Sequence, residues 1–500
     1  MKKFLLPVAW FMLLGGSVAA QQALSDELAY KVKKEAFPNS KMEELMRYNT
    51  DLMGPRLAGS KLMTRAEGLA AKKLEELGLA NVRVEEASEF SKGGWDNLKT
   101  YAAMTSPYYC NFYGIPKAWS GSTDGPVSSE VVVLNYRSGQ DLAKYKGKLK
   151  GKIVLMPSAF EYKLDPGPQA SRYTDEELAA LARDPRSNFV PRSRYNLSSG
   201  SNLNKLITDL LMAEKPAVIV SGRGNFNIPT VGSASYRQGD RQPVPELILP
   251  PEAHARMIRL AEQGIPVSME IEIKNEFSPN GSINNVIGEI PGSDPALADE
   301  VVLIGAHLDS WYGGTGGADN ASGVSVMMEA MRIIKSLDIN PKRTIRIGLW
   351  GGEEQGFVGS RGYVNKYLYD RDKKAKKEGF DKFALYLNMD NGSGKFRGIY
   401  LEENDMALPF FKEWGKHFEA LGFTTLTLAG TWGTDHQPFQ GIGLPGFQFI
   451  QDELDYERTY HTPMDTYERL SATDLKYNAA VVAWIAMCAA MDENKIPAEE

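Results

Sequence analysis

The residues of this chain that could do chemistry are histidines and carboxylates placed in polar turns, several of them where apolar runs end. The chain has five histidines, and three of them lie in such turns. An adjacent glutamate pair follows two glycines in the stretch LWGGEEQG. The turn residues that we single out are His307, Asp309, Asp319, Glu353, Glu354, Asp390, His436 and His461.

Two of the histidines and three of the carboxylates form a donor set that suits a divalent metal ion, with zinc as the first choice. One catalytic zinc ion usually takes three protein ligands, so five are too many for a single ion. Five ligands suit two ions about 3.5–4 Å apart that share one carboxylate. We therefore predict two zinc ions per chain, held by His307, Asp319, Glu354, Asp390 and His461.

The positions of these residues suggest different roles. Asp319 stands at the head of a predicted helix, where it could bridge the two ions. Adjacent glutamates point in different directions, so Glu354 can ligate a metal while Glu353 stays free as the general base for a metal-activated water. Asp309, two residues after His307, is suited to steady the imidazole of a metal ligand. A lone His-x-Asp is more often a polar turn, so the assignment depends on the whole set.

The elements that must position these residues are short apolar runs that alternate with amphipathic stretches. The runs Val301–Ala306, Thr344–Trp350 and Phe383–Asp390 have the length and composition of buried strands. Val324–Leu337 and Ala472–Met491 have the pattern of helices. Alternation of this kind predicts a three-layer α/β/α sandwich with a mixed central sheet, and ligands of such sheets bind at the carboxyl ends of the strands.

The region from residue 121 to residue 275 differs in texture, with short β-rich runs such as KGKIVLM and PAVIVSG. We interpret it as a small β-rich domain inserted into a catalytic domain that comprises residues 21–120 and 276–500. A polar excursion within it, Ser158–Ser199, has no clear counterpart or role.

Composition and the N-terminus restrict the class of protein. A formal net charge of -6 argues against nucleic acid as a partner. Residues 1–20 have the basic, apolar and small-residue regions of a cleavable signal peptide, with cleavage expected after Ala20. No later apolar stretch could span a bilayer, so we expect no stable membrane insertion and a periplasmic or secreted protein. The two cysteines, Cys110 and Cys488, are expected to stay unpaired.

The motifs HLDS, ADNASG, EEQG, NMD and YHTPMDT, in this order and spacing, resemble the co-catalytic dizinc exopeptidases. That family includes leucyl-type aminopeptidases and the carboxypeptidase Q (plasma glutamate carboxypeptidase) branch. The resemblance implies that His307 and Asp390 bind one ion, that Glu354 and His461 bind the other, and that Asp319 bridges them. It also implies that His436 lines the substrate pocket and that the insert is a protease-associated-like domain.

The leading hypothesis is thus an exported metallopeptidase that removes terminal residues from short peptides. Aminopeptidase, dipeptidase and carboxypeptidase specificity are not separated by the sequence, and homodimer formation is left open. A single-zinc glutaminyl cyclase shares the fold and is the first alternative. A receptor-like ectodomain on an inactive peptidase scaffold is the second, although every expected ligand type is present.

Overall fold

Two eight-stranded sheets organise the computed structural model of the chain. The structure describes residues 26–158, 160–164, 166–183, 202–224, 227–279 and 281–498. The predicted signal peptide and its cleavage site after Ala20 lie outside the described residues, as does most of the second half of the polar excursion.

In chain order, the strands are β1 (Ala80–Glu89), β2 (Gly94–Ser106), β3 (Cys110–Asn111), β4 (Ile115–Pro116), β5 (Val127–Val133), β6 (Ile153–Leu155), β7 (Val218–Gly222), β8 (Glu246–Leu249), β9 (Ser268–Ser278), β10 (Ser282–Ile290), β11 (Val301–His307), β12 (Thr344–Trp350), β13 (Tyr369–Asp370), β14 (Ala375–Lys376), β15 (Phe383–Asn388), β16 (Phe396–Tyr400), β17 (Thr425–Thr427) and β18 (Gly446–Gln451). The helices are α1 (residues 26–36), α2 (Met42–Arg47), α3 (Lys61–Glu76), α4 (Asp175–Arg183), α5 (Asn202–Glu214), α6 (Pro251–Glu262), α7 (Ser322–Ser336), α8 (Val358–Tyr363), α9 (Leu408–Gly415), α10 (Gln437–Gln440), α11 (Tyr456–Thr459) and α12 (Ala472–Met491).

The first sheet has the strand order β1-β10-β12-β11-β15-β18-β16-β17. Its four central strands, β12, β11, β15 and β18, run parallel to one another. The pairs β1/β10, β10/β12 and β18/β16 are antiparallel, so the sheet is mixed. Because the central strands are buried on both faces, their sequences are almost continuously apolar rather than alternating.

Both faces of this sheet are covered, which gives the three layers. Successive side chains of a strand point to opposite faces. Thus Val302 and Ile304 of β11 belong to a core formed with α7 and α12, whereas Leu303 belongs to a second core on the other face. The predicted fold class, a three-layer α/β/α sandwich with a mixed sheet, is confirmed.

The second sheet has the order β3-β2-β9-β5-β6-β7-β8-β4 and its own apolar core. All of its strands lie between β1 and β10 of the first sheet, and we refer to residues 94–278 as the inserted module. Its sheet begins with β2, which precedes the predicted boundary at residue 121, because the long strand β2 pairs with β9 along most of its length.

Three further observations bear on the sequence analysis. Thr344–Trp350 and Ala472–Met491 have the predicted bounds, whereas β11 extends one residue further, to His307. Cys110 and Cys488 are both free, as expected. Among the described residues, no helix combines the length and the apolar character that crossing a membrane requires.

Candidate metal centre

The carboxyl ends of the parallel strands bring the predicted site residues together. In the register of the sheet, His307 at the end of β11 is level with Trp350 at the end of β12. Gly305 of β11 is level with Asn388, the last residue of β15. Glu353, Glu354 and Asp390 follow within four residues of these ends, so parallel pairing alone delivers them to one edge of the sheet.

At this edge the side chains form two donor groups that share Asp319. In the first group, His307 Nε2 lies 3.1 Å from Asp319 Oδ1 and 3.7 Å from Asp390 Oδ1. In the second group, His461 Nε2 lies 3.2 Å from Asp319 Oδ2 and 2.9 Å from Glu354 Oε2. The ligand atoms within each group all lie within 4.8 Å of one another. The two oxygens of one carboxylate therefore face two different His-carboxylate pairs.

Asp319 is oriented by the irregular turn Gly317–Ala321, which precedes α7. Asp465 holds this turn, because its carboxylate accepts hydrogen bonds from Ala318 N at 2.6 Å and from Asp319 N at 3.0 Å. The glycines of the loop are required by close packing, since a Cβ on Gly317 would lie 2.5 Å from the carbonyl oxygen of Thr466. The ADNASG motif is thus built as a rigid support for one carboxylate.

The two adjacent glutamates occupy different positions at the site. Glu354 joins the second donor group, whereas Glu353 is buried beside both groups and belongs to neither. Asp309 fixes the pair, because its carboxylate accepts hydrogen bonds from Glu353 N at 3.0 Å and Glu354 N at 3.3 Å. Asp309 also contacts His307 Nδ1, with its backbone oxygen at 3.0 Å and its carboxylate at 3.6 Å.

Burial and crowding of like charges dominate the electrostatics. Burial raises the pKa of Glu354 to about 7, and the neighbouring Asp319 adds to this effect. Burial and the charge of Asp319 likewise raise the pKa of Asp465 to about 7. Burial opposes ionisation of Asp319 too, but the imidazoles of His307 and His461 outweigh it and lower the pKa of Asp319. A cation between these groups would relieve the repulsion.

Missing hydrogen bonds are independent evidence that the two donor groups fit a metal ion. His307 Nε2 and Glu354 Oε1 are buried and make no hydrogen bond within the described part of the chain. Buried polar atoms are rarely left without a partner, so each such atom calls for an explanation. Both atoms belong to residues of the two donor groups, where imidazole nitrogen and carboxylate oxygen are the ligands that zinc prefers.

A buried cation of the protein, Arg56, supports the loops of the site. It is fully buried, and its guanidinium donates to five backbone carbonyls, those of Asn49, Gly54, Leu308, Thr315 and Gly316. Burial lowers the pKa of Arg56 to about 10. Because this value is still well above 7, the guanidinium stays charged at neutral pH. Arg56 therefore connects the N-terminal part of the chain to the start and the middle of the loop between β11 and α7.

Aromatic rings surround His461, which is more accessible than the other histidine of the donor groups, His307. Tyr460 stacks on the ring of His461 with centroids 3.6 Å apart, and Trp311 contacts it edge-on at 5.9 Å. A small cleft at this point is lined by Trp311, Tyr312, Asp319, Glu354 and His461, among others. All three residues of the second donor group therefore line this cleft.

His436 lies behind a cavity rather than on its surface. The ring is fully buried, with Nε2 3.2 Å from the Thr431 oxygen and 3.3 Å from Glu402 Oε1. Glu402, Thr431 and Trp432 line a cavity of about 770 Å³, and His436 is not among its lining residues. Within the described residues, His436 contacts this cavity through Glu402, and its role in lining the substrate pocket stays a prediction.

Three residues with clear structural roles at the site were missed in the sequence, namely Arg56, Asp435 and Asp465. Asp465 was visible in YHTPMDT and Asp435 in GTDH, but neither had an assigned role. Asp435 is buried and accepts a hydrogen bond from Ser360 Oγ at 2.5 Å. Charge balance was the signal that could have found Arg56, because so many predicted buried carboxylates require a buried cation.

Comparison with known proteins points to a peptidase family. Residues 285–486 match peptidase family M28. Carboxypeptidase Q of Mus musculus is 26% identical over 448 residues, which cover 89% of this chain and 84% of that protein. A peptidase M28 precursor from Shewanella amazonensis SB2B superposes with a TM-score of 0.68 at 25% identity, covering 96% of this chain and 99% of that one.

The part of the chain that carries both donor groups is thus similar to the peptidases of family M28. BSAP, a zinc aminopeptidase from Bacillus subtilis, shares the fold with a TM-score of 0.54 at 20% identity, over 89% of this chain and 93% of that one. The predicted resemblance and the prediction of a metallopeptidase are confirmed. Relatives called carboxypeptidase and aminopeptidase support an exopeptidase. We refer to residues 285–486 as the M28 region.

Replacing Arg56 by lysine tests the role of the buried guanidinium. An ammonium group has three donors, so at least two of the five carbonyls would lose their partner. Unpaired buried carbonyls cost about 1–3 kcal/mol each, so we expect the free energy of unfolding to fall by about 2–6 kcal/mol. Chemical denaturation measures this, with the exposed Arg47→Lys as control, expected within about 0.5 kcal/mol of wild type. Equal stability of the two variants would contradict the role assigned to Arg56.

Proposed function

We propose that this protein is an exported dizinc exopeptidase that hydrolyses terminal peptide bonds of short peptides. The observation that carries the proposal is the shared carboxylate of Asp319, whose two oxygens face His307 and His461 at 3.1 and 3.2 Å. One carboxylate between two His-carboxylate pairs is the arrangement expected for a two-ion site. A single-zinc site would need only one of the two groups.

The residues that would hold the ions follow from the two groups. His307 and Asp390 would bind one ion and Glu354 and His461 the other, with one oxygen of Asp319 for each. When bound, two zinc ions would polarise the scissile carbonyl and make the attacking water more acidic. Three protein ligands per ion would leave a coordination position for substrate or water.

Glu353 is placed to move the proton in this reaction. It is buried, and its backbone is fixed by Asp309, so its carboxylate is held next to the donor groups without joining them. Burial raises the pKa of Glu353 well above its usual value, although the charge of His307 opposes this. A raised pKa helps a carboxyl group to keep a proton taken from the attacking water until it is passed to the leaving amine.

The restriction to short peptides is supported by the inserted module, which contacts the rim of the site. Tyr312, in the loop after β11, donates a hydrogen bond to the carbonyl of Pro116. Val231 of the module donates to the carbonyl of His461 at 3.2 Å. A module that lies this close to the donor groups limits the space for a long chain. We infer that it is a protease-associated-like domain, and its sheet favours limits near residues 94 and 278.

Export is proposed from the N-terminal sequence pattern alone, which lies outside the described residues. A glutaminyl cyclase would need only one of the two donor groups, and a receptor-like ectodomain would need neither group. No observation at the site, within the described residues, favours these two alternatives over the peptidase.

The reaction class can be tested with matched peptides. The purified protein should cleave free dipeptides. A block on at least one terminus, amino or carboxyl, should abolish cleavage of otherwise identical peptides. Which of the two blocks abolishes cleavage separates aminopeptidase from carboxypeptidase action. Activity should be lost with a chelator and return when zinc is added, because the donor groups need the metal. Equal cleavage of peptides blocked at both ends, or activity that survives the chelator, would contradict the proposal.

Replacing Glu353 by glutamine should separate metal binding from proton transfer. The amide has nearly the same shape but cannot take a proton, so kcat should fall by about a hundredfold to ten-thousandfold. Zinc content should stay at the wild-type level, because Glu353 belongs to neither donor group. Glu75→Gln, at an exposed glutamate of α3, serves as control and should keep wild-type activity. A metal-loaded Glu353→Gln protein with normal turnover would exclude Glu353 as the base.

A further inference from the structure

A segment of the inserted module reaches back onto the M28 region close to the metal centre. We call residues 166–183 the anchor segment; it lies between β6 and α5 in the chain and includes α4. Ser171 and Leu454 exchange two backbone hydrogen bonds, of 2.9 and 2.8 Å. Leu454 follows β18, at the same edge of the sheet as the donor groups, and precedes His461 by one short helix, α11.

Arg172 ties the anchor segment to two elements of the M28 region. Its guanidinium donates to Asp452 Oδ2 at 2.9 Å and to Asp474 Oδ2 at 2.7 Å. Asp452 follows β18, and Asp474 lies in the first turn of α12. Both carboxylates are buried, whereas the Arg172 side chain is about half exposed. The planar fork of an arginine can hold two carboxylates at fixed angles, which a lysine cannot do.

If Arg172 is replaced, a second arginine still pairs with the buried carboxylate of Asp452. Arg397 Nη1 donates to Asp452 Oδ1 at 3.2 Å and to the carbonyl of Tyr173 at 3.1 Å. Tyr173 N donates to the same oxygen of Asp452 at 3.0 Å. Asp452 therefore keeps two partners when Arg172 is shortened, so a variant at Arg172 should fold.

Apolar packing adds to these polar contacts. Leu178 and Leu181 of α4 pack against Ala429 and Ile450. The hydroxyl of Thr427, in β17, donates to the carbonyl of Leu181 at 2.8 Å. The helix thus covers the edge strand of the first sheet, and the anchor segment is seated by more than its salt bridges.

The inserted module also contacts the other end of residues 452–461, the stretch that follows β18. Val231 N donates to the carbonyl of His461, at the far side of residues 452–461 from Ser171. The two residues of this stretch that the module contacts through the backbone, Leu454 and His461, have positive φ angles of 52° and 53°. Residues other than glycine seldom adopt this conformation unless the surrounding structure enforces it. The module supplies a contact at each of these two points.

We propose that the inserted module positions His461, and that Arg172 is a positioning residue that acts through Asp452 and the 452–461 stretch. The inference rests on the proposed function in one respect, since His461 is there a zinc ligand. It goes further in making the module a structural part of the metal centre. The ion held by Glu354 and His461 should depend on Arg172, whereas the ion held by His307 and Asp390, which follow β11 and β15, should not.

The test compares Arg172→Ala and Arg172→Lys with Arg259→Ala, an exposed arginine on α6 of the same module. Hydrogen exchange of the metal-free full chain reports on residues 453–461, and calorimetric zinc titration reports on the two ions. In Arg172→Ala we expect exchange at 453–461 to accelerate at least about tenfold and the affinity for one ion to fall about tenfold, as for other residues behind a metal ligand. Arg172→Lys should lie between this variant and wild type, and Arg259→Ala should match wild type.

The outcomes separate this proposal from the proposed function. Exchange in Arg172→Ala equal to that in Arg259→Ala would overturn the positioning role, and so would faster exchange with both zinc affinities unchanged. If wild type binds fewer than two ions, the proposed function fails, while the exchange comparison still decides whether the module holds the stretch. If Arg172→Ala does not fold, as judged by circular dichroism, Arg172→Lys provides the same comparison.

Discussion

The structure depends on a concentration of buried negative charge that the protein does not neutralise by itself. Among the described residues, seven buried carboxyl side chains influence one another at the edge of the first sheet. They belong to Asp309, Asp319, Glu353, Glu354, Asp390, Asp435 and Asp465. The cationic partners are His307, His461 and Arg56. Buried charges are tolerated when they are paired, neutralised by protonation or bound to metals, so a metal ion at this edge of the sheet would stabilise it.

This constraint explains the rigid supports around the site. Asp465 and Asp309 accept backbone N–H groups of the residues that they position, so these two carboxylates are satisfied without a metal. The donor groups are different, because buried atoms of His307 and Glu354 have no hydrogen-bond partner among the residues that the structure describes. Asp309 and Asp465 therefore position other residues of the site, whereas the carboxylates of the donor groups remain available to bind ions.

The catalytic edge could be predicted because strand ends are local features of the sequence. An apolar run followed by His307, and another followed by Glu353, define where the strands stop, and parallel pairing then brings them together. Charge balance indicates that a buried cation is needed but does not single out Arg56, because its five carbonyl partners include Leu308 and Gly316, which lie far along the chain. The anchor segment was missed for the same reason, since its partners Asp452 and Asp474 show no pattern that points to residue 172. The motif around His436 did not show that its ring is fully buried beside Glu402, because burial depends on elements distant in the sequence.

The central claim, that one carboxylate serves two ions, is tested most directly by anomalous diffraction at the zinc edge from crystals of the zinc-loaded protein. We predict two peaks about 3.5–4 Å apart, one beside His307 and Asp390 and one beside Glu354 and His461, with an oxygen of Asp319 bound to each. A single peak, or a second peak that Asp319 does not contact, would contradict the account.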